Sequence, residues 1–207
     1  RPWIRRIVGS AWDDFERSTA ILPRTSDFQT HHRRTLAVHM RGTDKSHGRR
    51  RIDLVEFIDP VSDFLSTFGQ GAAVFLATDT ASLANGMISH FASMTASGEG
   101  SIHLSSETKG INEGDRRLYL RSIKTRSQSD TTPNFLTFDK MMVAEDVLID
   151  IQLMARCDYF IYAASAVAEA VFYTNPSLQN RSANLEYKNK TARQWPWKML
   201  PTRNKGH

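Results

Sequence analysis

Short apolar segments alternate with segments of helical periodicity along most of the chain, and this alternation limits the folds that it can adopt. Residues 35–40, 72–78 and 158–164 are nearly continuous apolar runs, which is typical of strands buried on both faces of a parallel sheet. Helical patterns at 59–68 and 81–94 lie between these runs. The sequence therefore predicts an α/β fold with a Rossmann-like doubly wound parallel sheet, built by right-handed crossovers.

The remaining elements are predicted from local signals. Asp59 is expected to cap a helix that has Pro60 at its first position and Gly69 just past its end. Helical spacing also indicates helices over 3–15 and over 138–157, and "SIHLSS" is a weaker strand. The polar, basic stretch 105–134 predicts a long loop.

These elements predict three regions. Residues 1–34 form a helix and connector, residues 35–176 form the Rossmann-like domain, and residues 177–207 form a polar C-terminal tail. The chain begins at Arg1 rather than Met, so we expect a fragment or a processed form.

Composition excludes several classes of protein. No apolar run approaches the roughly 20 residues of a membrane span. Cys157 is the only cysteine, which excludes an internal disulfide and a zinc site built on paired cysteines. The net charge of +5 favours an anionic partner. Two glycosylation sequons are a faint signal of secretion, and the compartment is otherwise unknown.

Charged or hydroxyl-bearing side chains cluster where three predicted strands end. The residues at these positions are His39, Arg41, Asp44 and Lys45, then Asp79 and Thr80, then Ser165 and Ala166. Ligands of doubly wound sheets bind at the carboxyl ends of the strands, so we expect a shared site there. An anion would meet the guanidinium of Arg41, the ammonium of Lys45 and backbone N–H groups of the helix near Ser165.

Several of these residues, and Asp150 in the helix predicted over 138–157, also have a structural interpretation. Asp79 and Ser165 could cap the helices that follow them, and Asp150 could be a boundary residue beside the apolar stripe of its helix. Arg41 and Asp44 could form an ion pair. The functional interpretation depends on their shared location.

Glycine-rich phosphate loops and nucleophile elbows are absent from the sequence. No G-x-G-x-x-G, G-x-x-x-x-G-K-[ST] or G-x-S-x-G motif occurs. An anion site built from side chains, without a glycine cradle, favours nucleotide-sugar enzymes over dinucleotide oxidoreductases and P-loop proteins.

Three motifs resemble those of the inverting fucosyltransferases with a GT-B-type fold, notably the α1,6-fucosyltransferases and their nodulation-factor relatives. "VHMRGTDK" resembles their H-x-R-x-x-D-K motif, and "VFLATDT" is similar to their second motif. "DVLIDIQLMARCDYFIYAASAVAEAVFY" is similar to the third, and "RPW" resembles the start of their linking helix. The order and spacing of the motifs agree over roughly residues 1–175.

The resemblance implies a site for GDP-fucose. Arg41 would hold the β-phosphate and offset charge on the departing GDP, while His39 would lie against the nucleotide. Asp150 would accept hydrogen bonds from the guanine edge. The residues implied to complete the donor pocket are Asp79, Ser165 and Ala166. The residues implied to orient the sugar, and to act with Arg41 in catalysis, are Asp44 and Lys45.

The resemblance also implies partners and a compartment. The enzyme would need no metal and would transfer fucose with inversion to a glycan acceptor, in the Golgi lumen. The amino-terminal half that supplies the acceptor side in such enzymes would have to come from a missing segment or from another subunit.

The sequence departs from the family pattern at three positions. Gly42 replaces the second of two adjacent arginines, and Thr80 replaces the second of two adjacent acids. Arg49 stands where relatives carry a glutamate that activates the acceptor, a loss of general-base help worth about 10²–10⁴-fold. Asp53 is the nearest substitute.

Three functional hypotheses remain open. The first is a fucosyltransferase donor domain, and the second is a catalytically inactive relative that serves as a binding or structural subunit of a larger assembly. The third is a nucleic-acid binder that uses Arg49, Arg50, Arg51 and the stretch 105–134. The third is disfavoured because aromatic residues for base stacking are not interleaved with the basic ones.

Overall fold

The computed structural model describes residues 2–18, 34–42, 50, 52–96, 101–105, 116–121, 125, 138–187 and 195–198. These residues form five α-helices, which are α1 (Pro2–Ser18), α2 (Leu54–Phe68), α3 (Ala81–Ala96), α4 (Lys140–Arg156) and α5 (Ala166–Thr174). They also form six strands, which are β1 (Arg34–Met40), β2 (Ala72–Thr78), β3 (Ser101–Ser105), β4 (Arg116–Arg121), β5 (Tyr159–Tyr162) and β6 (Ser182–Asn184).

The strands form one sheet in the order β3-β4-β2-β1-β5-β6, and every neighbouring pair is parallel. The predicted α/β fold with a parallel sheet is therefore confirmed. From β1 the chain adds β2 on one side, and it later crosses back to add β5 on the other side. The strand order thus reverses between β1 and β5.

Helices cover both faces of the sheet because the central strands are apolar on both faces. All seven residues of β2 are buried, as are the last five of β1. On one face α2 and α3 pack against Val38, Leu76 and Ile161. On the other face α1, α4 and α5 pack against Ala37, Phe75 and Phe160. This two-faced burial is the reason that the strands read as continuous apolar runs.

Helix α2 begins earlier than expected. Asp53, not Asp59, is its N-cap, and Pro60 lies buried inside the helix. The Glu56 side chain reaches back to accept a hydrogen bond from the backbone N–H of Asp53 at 3.2 Å. The expected start was wrong because Pro60 outweighed the Asp-x-x-Glu capping signal at 53–56.

The expectation of a loop throughout 105–134 was also wrong, because Arg116–Arg121 form β4. This strand pairs with β2 on one side and β3 on the other. Its buried residues Leu118, Tyr119 and Leu120 are flanked by arginines, so the apolar run is too short to stand out.

Residues beyond 176 contribute to the same core. Strand β6 pairs with β5, and the buried Trp197 packs against Phe64 and Tyr159 at ring-centroid distances of 5.1 and 5.8 Å. The indole Nε1–H of Trp197 donates a hydrogen bond to Asp63 at 2.7 Å. The stretch expected as a polar tail therefore supplies a strand and a core residue.

Candidate functional site

His39 and Ser165 meet where the strand order reverses. His39 is the sixth residue of β1 and is 8% exposed. Its Nδ1 lies 3.3 Å from the Ser165 hydroxyl, which in turn accepts the backbone N–H of Ala168 at 3.0 Å as the N-cap of α5. The structural interpretation of Ser165, that it caps a helix, is confirmed. An imidazole and the amino terminus of a helix therefore meet at the carboxyl ends of β1 and β5.

A second contact joins the segments that follow β1 and β2. The backbone N–H of Gly42 donates a hydrogen bond to a carboxylate oxygen of Asp79 at 2.8 Å. Arg41, half-buried, immediately precedes Gly42. The structure thus brings Arg41 and Asp79 to the same edge of the sheet, as the parallel arrangement predicts.

Gly42 and Thr80, two of the positions that depart from the family pattern, pack against each other. A Cβ atom added at Gly42 would lie 2.4 Å from both Cγ2 and Oγ1 of Thr80. Thr80 is fully buried. Only glycine fits at position 42 while Thr80 keeps this place. The sequence signal for this contact was that both motifs depart from the fucosyltransferase pattern, one at Gly42 and the other at Thr80.

Asp150 lies in α4 between the buried residues Ile149 and Ile151 and is half-buried. Asp150 lies about 9 Å along α4 from its last residue, Arg156, and Tyr162 lies about 10 Å along β5 from its first residue, Tyr159, at 1.5 Å per helical and 3.3 Å per strand residue. Because a crossover helix runs antiparallel to the strands that it connects, these similar lengths put Asp150 about level with the carboxyl ends of the strands.

His39 and Asp150 also share one face of the sheet. Side chains alternate along a strand, so His39 points to the same side as Ala37. Ala37 packs in the cluster that contains Ile149 and Ile151 of α4. By this geometry His39 and Asp150 lie on the same side and toward the same end of the sheet.

Two other predicted site residues, and one departure, lie outside the described residues; these are Asp44, Lys45 and Arg49. Ala166 is described and is the exposed first residue of α5. Asp53, the nearest substitute for the missing glutamate, is exposed at the start of α2.

Arg50 has a structural role that the sequence analysis missed. Its guanidinium binds both carboxylate oxygens of Glu56, at 2.5 and 2.7 Å, and donates to the carbonyl of Leu185 at 2.8 Å. The hydrogen bond to Glu56 raises the pKa of Arg50 above its ordinary value. Arg50 therefore ties the start of α2 to the segment after β6, and the nucleic-acid hypothesis loses one of the cations that it invoked.

Asp158, the last aspartate of the third motif, lies at the opposite edge. Its carboxylate accepts the backbone N–H of Thr35 at 2.8 Å and the Thr35 hydroxyl at 3.0 Å. Asp158 therefore joins the amino ends of β1 and β5, away from His39 and Arg41.

No group of three or more potential metal-binding side chains occurs in the described part of the chain. None of the helices described is long and apolar enough to cross a membrane.

No protein-family model matches the sequence, and the curated proteins contain no significant match to it. The likeness to fucosyltransferases therefore rests on the three motifs alone.

Proposed function

We propose that this chain is the donor-binding half of a GT-B-type glycosyltransferase and that it binds GDP-fucose between the carboxyl ends of β1 and β5. The observation that carries the proposal is the His39–Ser165 contact across the reversal of strand order, with Arg41 next to it. Doubly wound sheets bind nucleotides outside the carboxyl ends of the strands, at the point where the strand order reverses.

Each described group at this edge suits part of a guanosine diphosphate. The planar guanidinium of Arg41 can bind two oxygens of one phosphate. Backbone N–H groups at the amino terminus of α5 favour negative charge. The carboxylate of Asp150 can accept hydrogen bonds from the donor groups of a guanine edge. The site thus offers cationic and N–H groups for the diphosphate and an anionic group for the base.

The proposed reaction is transfer of fucose to a glycan hydroxyl by direct displacement with inversion. Arg41 would stabilise the negative charge that develops on the departing GDP. Asp44 and Lys45 would orient the sugar, as the resemblance implies. The acceptor proton would need a base, and Asp53 at the start of α2 is the candidate that the described residues supply.

A second candidate function is donor binding without transfer, as a binding or structural subunit of a larger assembly. The Gly42–Thr80 contact favours it, because the space that a second arginine would enter is filled by a buried side chain. With one arginine fewer beside the diphosphate, the leaving group receives less stabilisation.

Titration calorimetry of the full chain with GDP tests the proposal. We expect binding that Arg41→Ala weakens by about 10- to 100-fold, the loss of charge-assisted hydrogen bonds to phosphate. Arg34→Ala is the matched control, because Arg34 is the first residue of β1 and lies at the opposite edge of the sheet from Arg41. It removes the same charge and should leave GDP affinity unchanged.

Further additions separate the candidate functions. Release of GDP from GDP-fucose in the presence of a glycan acceptor would select the transferase, and donor binding without release would select the inactive relative. Absence of GDP binding by the wild-type chain would refute both, and salt-sensitive RNA binding in its place would support the nucleic-acid hypothesis.

A further inference from the structure

The hydrogen bond between Gly42 and Asp79 controls the backbone next to Arg41. The N–H of Gly42 and the Cα of Arg41 belong to one rigid peptide plane. When Asp79 accepts that N–H at 2.8 Å, it restrains the orientation of the plane. The direction in which Arg41 leaves the backbone is restrained with it.

Asp79 itself is held by the elements on either side of it. Strand β2 ends at Thr78, whose hydroxyl accepts the backbone N–H of Thr80 at 3.3 Å. The carbonyl of Thr80 accepts the N–H of Ala84 in α3 at 3.3 Å. The turn that carries Asp79 is therefore tied to a buried strand and to a helix of 16 residues.

Packing of the Thr80 side chain restrains Gly42 as well, in addition to the hydrogen bond with Asp79. The buried Thr80 side chain occupies the space beside the Cα of Gly42. A hydrogen bond from Asp79 and packing from Thr80 thus act on one residue of the neighbouring segment. Together they define a clasp of Gly42, Asp79 and Thr80.

We infer that Asp79 is a positioning residue for Arg41, which sets the guanidinium for a nucleoside diphosphate through the peptide of Gly42 instead of binding the ligand itself. This inference rests on the proposed function. Charge supports the indirect role, since a carboxylate that faced the diphosphate directly would repel it. When a carboxylate accepts a backbone N–H, its negative charge is directed at a donor of the protein and away from the ligand.

The test is a double-mutant cycle measured by calorimetry with GDP. Asp79→Ala removes the acceptor and should weaken GDP binding by about tenfold, the equivalent of one hydrogen bond to a charged group. Asp79→Asn keeps a carbonyl oxygen that can accept the Gly42 N–H, and it should stay within about threefold of wild type. In an Arg41→Ala background, Asp79→Ala should have no further effect, because the residue that it positions is gone.

Asp158→Ala is the matched control, because it also removes a carboxylate that accepts a strand-end N–H at 2.8 Å. It should lower the free energy of unfolding and leave GDP affinity unchanged. A merely structural role of Asp79 would give the same pattern as this control and would overturn the inference.

Other outcomes are equally decisive. Losses that add in the Arg41→Ala, Asp79→Ala double variant would show that Asp79 contacts the ligand independently and would overturn the inference alone. Equal losses in Asp79→Asn and Asp79→Ala would show that the charge, and not the acceptor oxygen, matters, with the same consequence. Failure of the wild-type chain to bind GDP would overturn the proposed function, and this inference with it.

Discussion

The same kind of hydrogen bond occurs at both edges of the sheet, where the strands begin and where they end, but it restrains different parts of the molecule. At the amino edge, four hydrogen bonds join Thr35 and Asp158, so that each residue holds the backbone and side chain of the other. At the carboxyl edge, Asp79 holds the backbone N–H of Gly42, beside Arg41. Both edges pair a carboxylate with a backbone N–H at 2.8 Å.

The difference lies in what the bond restrains. The Thr35–Asp158 pair joins two neighbouring strands, β1 and β5, that the sheet already holds in register. The Gly42–Asp79 bond instead acts on a segment that has just left the sheet. The carboxylate at the amino edge therefore restrains the sheet itself, and the one at the carboxyl edge restrains the segment that carries Arg41.

The largest expected effect tests the amino edge. Asp158→Ala leaves the N–H and the hydroxyl of Thr35 without their acceptor, and should lower the free energy of unfolding by about 2–3 kcal/mol. Chemical denaturation measures this change, and calorimetry with GDP should show unaltered affinity. A folded Asp158→Ala variant with weakened GDP binding would show that the two edges are not independent.

A change of intermediate size tests the clasp. Gly42→Ala should cost about 1–3 kcal/mol of stability, because its Cβ would lie 2.4 Å from Cγ2 and Oγ1 of the buried Thr80 side chain and 2.9 Å from the Cβ of Thr80. Adding Thr80→Ala should recover part of that loss, since it removes the two nearest atoms and keeps the Cβ. Denaturation of the single and double variants measures the recovery.

Gly86 provides the control for this prediction. A Cβ at Gly86 would also meet an atom at 2.4 Å, but that atom is the terminal methyl of the half-buried Leu54, which can rotate away. Alanine also favours the helix interior by up to about 1 kcal/mol over glycine. Gly86→Ala should therefore be close to neutral, and a loss equal to that of Gly42→Ala would contradict our account of the clasp.

The smallest expected effect concerns the start of α5. Ser165→Ala removes an N-cap and should cost about 1 kcal/mol of stability. GDP affinity should fall as well, because the Ser165 hydroxyl also contacts His39. Asp139→Ala is the control, since Asp139 caps α4 through the N–H groups of Met141 and Met142. It should cost a similar stability without weakening GDP binding.

The parts of the fold that the sequence predicted are those with strong local patterns. Strands β1, β2 and β5 were expected from continuous apolar runs, and an N-cap was one of two interpretations of Ser165, which precedes a helical pattern. The elements that were wrong had weak or competing local signals. Strand β4 has three buried residues between arginines, and Pro60 concealed the true start of α2.

In the candidate site, too, the sequence predicted some features and missed others. The sequence indicated which residues follow the strands, because parallel strands end at one edge. It did not reveal that Arg50 forms hydrogen bonds with Glu56 and the carbonyl of Leu185, because the partners of a side chain depend on the packing of distant segments.

The sequence by itself determined a parallel α/β sheet with polar residues at its carboxyl edge, because strands buried on both faces must be apolar throughout. Only the tertiary structure decided which polar groups meet. Gly42 and Asp79 are 37 residues apart, and Thr35 and Asp158 are 123 residues apart. Contacts at such separations follow from strand order and register, which bring distant segments within hydrogen-bonding distance and leave no periodicity in the sequence.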